Sequence, residues 1–194
     1  MNYLTHILLS GDQPEDWTGA LLGDFVKGPI GPGLPPRVAA GIRVHRQIDK
    51  FTDAHPIWRR SRERFEAPAR RFAGVAVDVL YDHFLAAAWD RYSDQHLASF
   101  SEAVYAGVAQ YEALFTPRLR RVFRAMREGD WLVAYADFEH VRWALERMSM
   151  RSIRLAGLRA TIGQAAANLA ALRQDFHEFF PQLADHAVVL RRSS

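Results

Sequence analysis

Residues 77–84 read VDVLYDHF, set between the apolar stretches GVA and LAAAW. The apolar run is too long for a strand and shows no alternation, so it predicts the middle of a buried helix extending from about Pro68 to Arg91. At ~100° per residue, Asp78 and Asp82 project only about 40° apart, while His83 lies roughly 100° from Asp82. Val75, Val79, Leu85 and Ala86 flank the carboxylates, leaving no solvated face to receive them. Burying two neighbouring carboxylates calls for a cation or several donors between them. Arg46, Arg70 or Arg71 in a structural network would serve as well as a metal ion.

The same 3.6-residue period recurs outward from this stretch. Asp12 with Glu15 reads as a capping box opening a helix that Gly28 closes. A second helix runs from about Pro35 to Phe51, with His55-Pro56 marking a break. Further helical patterns cover 94–114, 117–128, 137–151, 157–178 and 181–191. Nothing sustains the period-two alternation of a strand. The expectation is an all-α, single-domain helical bundle occupying residues 1–194. GPIGPGLPP (28–36) is an ordered connection within it.

Composition narrows the chemistry. The 194 residues include no Cys, which excludes disulfides, thiolate metal sites and Cys nucleophiles and suits a reducing cytoplasm. MNYLTHILLSG lacks the basic region and long apolar run of a signal peptide, and no apolar run reaches a membrane span. The reading is a soluble cytoplasmic protein with no membrane partner. Net charge is only +3, but Lys occurs just at 27 and 50, so the positive charge is almost all Arg. Codon bias accounts for a general Arg excess; local clusters carry more meaning.

Other polar residues interrupt apolar stripes. Trp17, Ala20, Leu21 and Asp24 follow helical spacing, which puts Asp24 on an inward face near a helix C-terminus, where the dipole disfavours negative charge. A cation or a buried Arg would explain it. Val38, Ile42, His45 and Asp49 form a second stripe, with His45 and Asp49 adjacent on one face. That pair suits two metal ligands, a ligand with its orienting carboxylate, or a structural hydrogen bond. Thr52 or Asp53 caps a short helix beyond it. Asp24, His45, Asp49, Asp78, Asp82 and His83, with His6 from the N-terminal segment, form a pool of oxygen and imidazole donors. Without thiolate, such a set suits Mn²⁺, Mg²⁺ or Fe²⁺, and a mixed Asp/His hydrolase site follows as one reading.

MNYLTH, GDFVKG, GIRVHRQIDKFTDAHP and VDVLYDHFLAAAW, in this order, with DWLVAY at 130–135, resemble the acyl carrier protein phosphodiesterase family over nearly the whole chain. The resemblance implies a helical fold distantly related to the HD-domain phosphohydrolases. It also implies Mn²⁺- or Mg²⁺-dependent removal of 4′-phosphopantetheine from holo-acyl carrier protein. Asp24, His45, Asp49, Asp82 and His83 match the family pattern, whereas Tyr3 and Thr5 replace the usual Phe and Ala. The dyad reads Asp-His here and His-Asp in the HD class, so roles do not transfer by dipeptide. On this resemblance Asp24, His45, Asp82 and His83, with His6, are expected to hold the metal. Asp49 and Asp78 are cast as base or supporting groups, and Arg46 or Lys27 as neutralising the phosphoryl charge. An alternative is a metal phosphohydrolase acting on a nucleotide or other small phosphodiester.

In TPRLRRVFRAMRE (116–128), Leu119, Val122, Phe123 and Met126 lie opposite Arg120, Arg121, Arg124 and Arg127. With Arg59, Arg60, Arg62 and Arg64 these supply candidate docking charge for an acidic carrier protein. An ordinary solvated face gives the same pattern. No helix-turn-helix or aromatic stacking signature points to nucleic acid. Trp17, Trp58, Trp89, Trp131 and Trp143 read as core or interface residues.

Overall fold

The computed structural model describes residues 2–151 and 153–192. Among them every regular element is helical: α1 (Tyr3–Ser10), α2 (Pro14–Leu22), α3 (Pro36–Ala54), α4 (Pro56–Glu63), α5 (Ala73–Ala87), α6 (Leu97–Ala109), α7 (Pro117–Glu128), α8 (Trp131–Ala134), α9 (Phe138–Ser149), α10 (Ala160–Ala167) and α11 (Leu169–Arg192). The all-α expectation holds. Four helices (α2, α3, α4 and α7) open on Pro14, Pro36, Pro56 and Pro117, where a missing amide proton costs nothing and the fixed φ suits the first turn. No described helix is long and apolar enough to cross a membrane.

Several boundaries differ from the sequence expectation, each for a local reason. The capping box sits one residue later, between Gln13 and Asp16. Asp16 is held in place by a bidentate contact from Arg37 at 2.8 and 2.7 Å. α2 then stops at Leu22 rather than running to Gly28. The helix drawn over 68–91 breaks into α5 and two short 3-10 turns, Ala69–Phe72 and Trp89–Arg91. Residues 3–10, unassigned by periodicity, form α1. At the other end α11 passes straight through Pro181. Phe179, Phe180, Leu183 and Ala187 are buried on both sides of it. Their packing outweighs the roughly 3 kcal/mol that a mid-helix proline costs.

α5 runs through the centre, where Ala76, Val77, Leu80, Tyr81, Phe84 and Leu85 are buried. It contacts α1, α4, α9, α10 and α11. α2 and α3 approach so closely that a Cβ on Gly19 would fall 2.5 Å from the Val38 carbonyl oxygen, and one on Gly41 would fall 2.9 Å from that of Asp16. This contact brings the turn after α2 onto the middle of α3.

Away from that contact, α4 is fastened to α11 by one buried carboxylate. Asp175 accepts from Arg64 at 2.6 and 2.9 Å, from Arg60 at 2.8 Å and from the Ser61 hydroxyl at 2.8 Å. Burial opposes its charge, but hydrogen bonds from Arg64 and Ser61 prevail and hold the carboxyl below its ordinary value. Because the folded value is the lower one, the contribution is fully present above the unfolded pKa of about 4 and disappears as pH falls through the folded value. Asp175→Ala is expected to cost on the order of 3–5 kcal/mol, since it leaves the Arg64 guanidinium and the Ser61 hydroxyl without their acceptor. Urea denaturation at pH 7 and pH 3 checks this: the gap between wild type and mutant should shrink at the lower pH.

Candidate metal centre

Two helices and a turn deliver the site. α1 and α3 face each other, so that the rings of His6 and His45 stack with centroids 3.7 Å apart and planes 18° from parallel. One helical turn beyond His45, Asp49 reaches back to both. Its Oδ1 is 3.1 Å from His6 Nε2, and its Oδ2 is 3.2 Å from His45 Nε2. From the turn after α2, Asp24 Oδ1 stands 3.7 Å from His45 Nε2. Both imidazoles are buried, whereas Asp49 and Asp24 are 42% and 50% exposed, so the cluster opens to solvent on its carboxylate side.

Electrostatics makes this an uncomfortable arrangement for protein alone. Burial and the adjacent His45 push the His6 pKa down to about 3, so the ring is neutral at physiological pH. Burial would raise Asp49, but the contacts from His45 and then His6 hold it far below the carboxylate range. Neither nitrogen of His6, nor Nδ1 of His45, has a hydrogen-bond partner among the described residues, so the His6–Asp49 contact is close without being aligned. Buried orphaned imidazoles beside an ionised carboxylate fit a cation. An octahedral ion with ligands at ~2.1 Å sets neighbouring ligand atoms about 3.0 Å apart, close to the spacings seen here. Among the described residues His6, His45 and Asp49 are the one set of three such donors within 4.8 Å of one another.

What fixes the rings is packing. A ligating imidazole usually donates its second nitrogen to an orienting acceptor, and neither ring has one here. Gly23 covers His45 so tightly that a Cβ would fall 2.2 Å from the ring Cγ. Gly23→Ala is therefore expected to displace His45 and lower turnover on the order of a hundredfold, as misplacement by about 1 Å does in other sites. The check is kcat alongside melting temperature; a mutant with normal turnover would leave Gly23 as packing only.

The other candidates from the sequence lie elsewhere. Asp82 is fully buried, and its carboxylate accepts from Leu4 N at 2.7 Å, Thr5 N at 3.1 Å and Thr5 Oγ1 at 2.7 Å. It caps the N-terminus of α1, where its charge faces the positive end of the helix. Burial still raises its pKa to about 6 against the pull of these donors. His83 Nδ1 donates to the Tyr135 carbonyl at 2.8 Å, and its ring lies 5.6 Å from that of Phe138. The Asp-His pair expected as ligands is thus not brought into the cluster. Asp78, partly buried on α5, has its carboxyl raised by burial and is not in the donor set either. Arg46 donates to the Val26 carbonyl at 2.7 Å, bracing the turn that carries Asp24, while Lys27 is exposed.

Of the expected docking residues, Arg60 is committed to Asp175 and Glu178, and Arg120 to the Glu112 carbonyl. Arg59, Arg121, Arg124 and Arg127 are exposed. His55 caps α4, its Nδ1 accepting from Ile57 N at 3.3 Å, in place of Thr52 or Asp53. A cleft of about 1040 Å³ beside Gly11, Asp16, Arg37 and Arg191 contains none of the three donors. In the sequence Tyr3 stands out only by replacing the Phe expected from the family resemblance. Its hydroxyl, pushed up to about 12 by burial, feels the charges of Asp24, Arg151 and Arg118. Arg118 also stands over Phe25 at 5.7 Å. Sequence spacing carries no sign of this rim, since its members come from four separate segments.

The family model described as acyl carrier protein phosphodiesterase matches residues 1–183. The chain belongs to the acyl carrier protein phosphodiesterase family. It is 35% identical to the acyl carrier protein phosphodiesterase of Escherichia coli O157:H7 over 188 residues, covering 96% of this chain and 97% of the relative. The relative of that name from Salmonella paratyphi A gives the same identity and coverage. No solved structure matches the chain. Within the acyl carrier protein phosphodiesterase family, the motif HRQID of this member supplies two of the three clustered donors, and MNYLTH supplies the third.

Proposed function

We propose that the protein hydrolyses the phosphodiester joining 4′-phosphopantetheine to the serine of holo-acyl carrier protein, using a divalent cation. The observation that carries this is the solvent-facing cluster of His6, His45 and Asp49 in a member of a family named for the activity. Two imidazoles with a carboxylate suit Mn²⁺ or Fe²⁺ better than Mg²⁺, which prefers oxygen donors. His6, His45 and Asp49 would hold the ion, with Asp24 beside them. When bound, the cation would polarise a phosphoryl oxygen and acidify an attacking water.

The chain's own groups supply the rest. Asp24, half-exposed at the mouth of the site, is placed to take the proton of the attacking water. The Tyr3 phenol stays protonated and is a donor for a phosphoryl oxygen. Arg118 and Arg151 place positive charge at the same rim, where the diester is negative. Asp82 and His83 act through the fold, by holding α1 and α8–α9 against α5.

Incubation of the purified protein with holo-carrier protein and Mn²⁺, followed by intact mass, tests the reading. The arm should be lost, and chelator should prevent the loss. An unchanged mass under saturating Mn²⁺ would replace the carrier by a nucleotide or other small phosphodiester.

A further inference from the structure

Four large apolar side chains are strongly exposed among the described residues, and three of them fall within eleven positions: Trp143 at 47%, Met150 at 75% and Ile153 at 90%. At ~100° per residue, His140, Trp143, Arg147, Met150 and Arg151 share one stripe of α9 and its C-terminal extension. Glu139 and Glu146 lie on the next face around, and Glu139 is engaged by Arg142 at 2.7 Å. Arg147 lies 4.4 Å over the Trp143 ring, and neither it nor Arg151 forms an ion pair among the described residues. Exposed Trp, Met and Arg side by side are the residue types that dominate protein interfaces.

Contacts lead from the stripe to the start of α1, which carries His6: the Trp143 ring lies 5.7 Å from that of His140, His140 lies 6.5 Å from Tyr135, and the Tyr135 hydroxyl accepts from Asn2 Nδ2 at 2.6 Å. Arg151 at its end and Arg118 at the start of α7 both act on Tyr3, as does Asp24 of the site. A surface that is apolar in the middle, cationic around it and joined to the reactive edge matches a partner with the opposite charge.

We infer that this α9 face docks the acidic carrier protein, with Trp143, Met150 and Ile153 packing on an apolar centre and Arg147, Arg151 and Arg118 pairing with surrounding carboxylates. The inference rests on the proposed activity for the identity of its occupant. It places docking on α9 and not on the outer arginines of α7.

Binding of apo-carrier protein, which has no arm to hydrolyse, separates docking from chemistry. Calorimetric titration of the wild type, Trp143→Ala and the double variant Arg147→Glu/Arg151→Glu should show each variant binding at least about tenfold more weakly, as expected for interface anchors. The double variant should also lose most of the salt dependence. With holo-carrier protein, KM should rise by a similar factor in both variants, while kcat at saturation of Trp143→Ala moves less than about threefold. All three side chains are exposed, so circular dichroism should be unchanged. Hydrolysis by the wild type with unaltered Kd and KM in both variants would overturn the docking face and leave the activity standing. Variant-sensitive binding without hydrolysis would support the face and remove the activity. Wild type that binds no carrier protein, or a face that binds DNA or RNA in its place, would overturn the inference.

Discussion

His45→Ala is expected to abolish turnover and metal retention together, with the fold intact. His45 is the hinge of the cluster: its Nε2 meets both Asp49 and Asp24, and its ring stacks on His6. Without it one imidazole and two carboxylates remain, too few well-placed donors to hold a Mn²⁺ ion against solvent. Losing the several kcal/mol that a cation contributes to phosphoryl transfer lowers kcat by about a thousandfold or more. The fold should survive because Nδ1 of His45 makes no hydrogen bond among the described residues and Nε2 faces the site. The measurements are turnover of holo-carrier protein, metal content after dialysis, and circular dichroism. A mutant that keeps stoichiometric metal would displace His45 from the ligand set.

Asp82→Ala should also silence the enzyme, but by a different route, through stability. Removing a fully buried carboxylate leaves Leu4 N, Thr5 N and the Thr5 hydroxyl without their acceptor. Each stranded buried donor costs about 1–3 kcal/mol, so a loss on the order of 3–5 kcal/mol follows. α1 is then released, and His6 leaves the cluster with it. Thermal melting separates this from a ligand role: the metal-free protein should melt well below wild type. Asp82→Asn, which keeps one acceptor oxygen, should fall between. Unchanged melting with lost metal would return Asp82 to the cation.

VDVLYDHF shows where sequence reasoning reached its limit. Period and burial correctly marked Asp82 as a carboxylate in need of partners. They carried no information on whether the partner is a metal or the start of another helix, because that depends on an element 78 positions away. The His45–Asp49 spacing was a sounder guide, since two residues on one helical turn stay adjacent whatever surrounds them. Asp24 was drawn into an inward stripe by extending α2 too far; the chain turns at Gly23, and the same carboxylate arrives at the site from a loop. Most helices were readable from periodicity. α1 and the passage of α11 through Pro181 were not, because tertiary packing decides both.

The long reach from Asp82 to α1 has a kinetic side. His6 is seated on α3 only while the amides of Leu4 and Thr5 are held by a side chain from the middle of the chain. A ribosome must therefore release α5 before the first helix can take its place, and the cluster matures late. In the finished protein, detachment of this one short helix would open the proposed cation site without global unfolding. Hydrogen exchange at Leu4 and Thr5 should slow when Mn²⁺ is added, and the extent of slowing gives the coupling between metal occupancy and local opening.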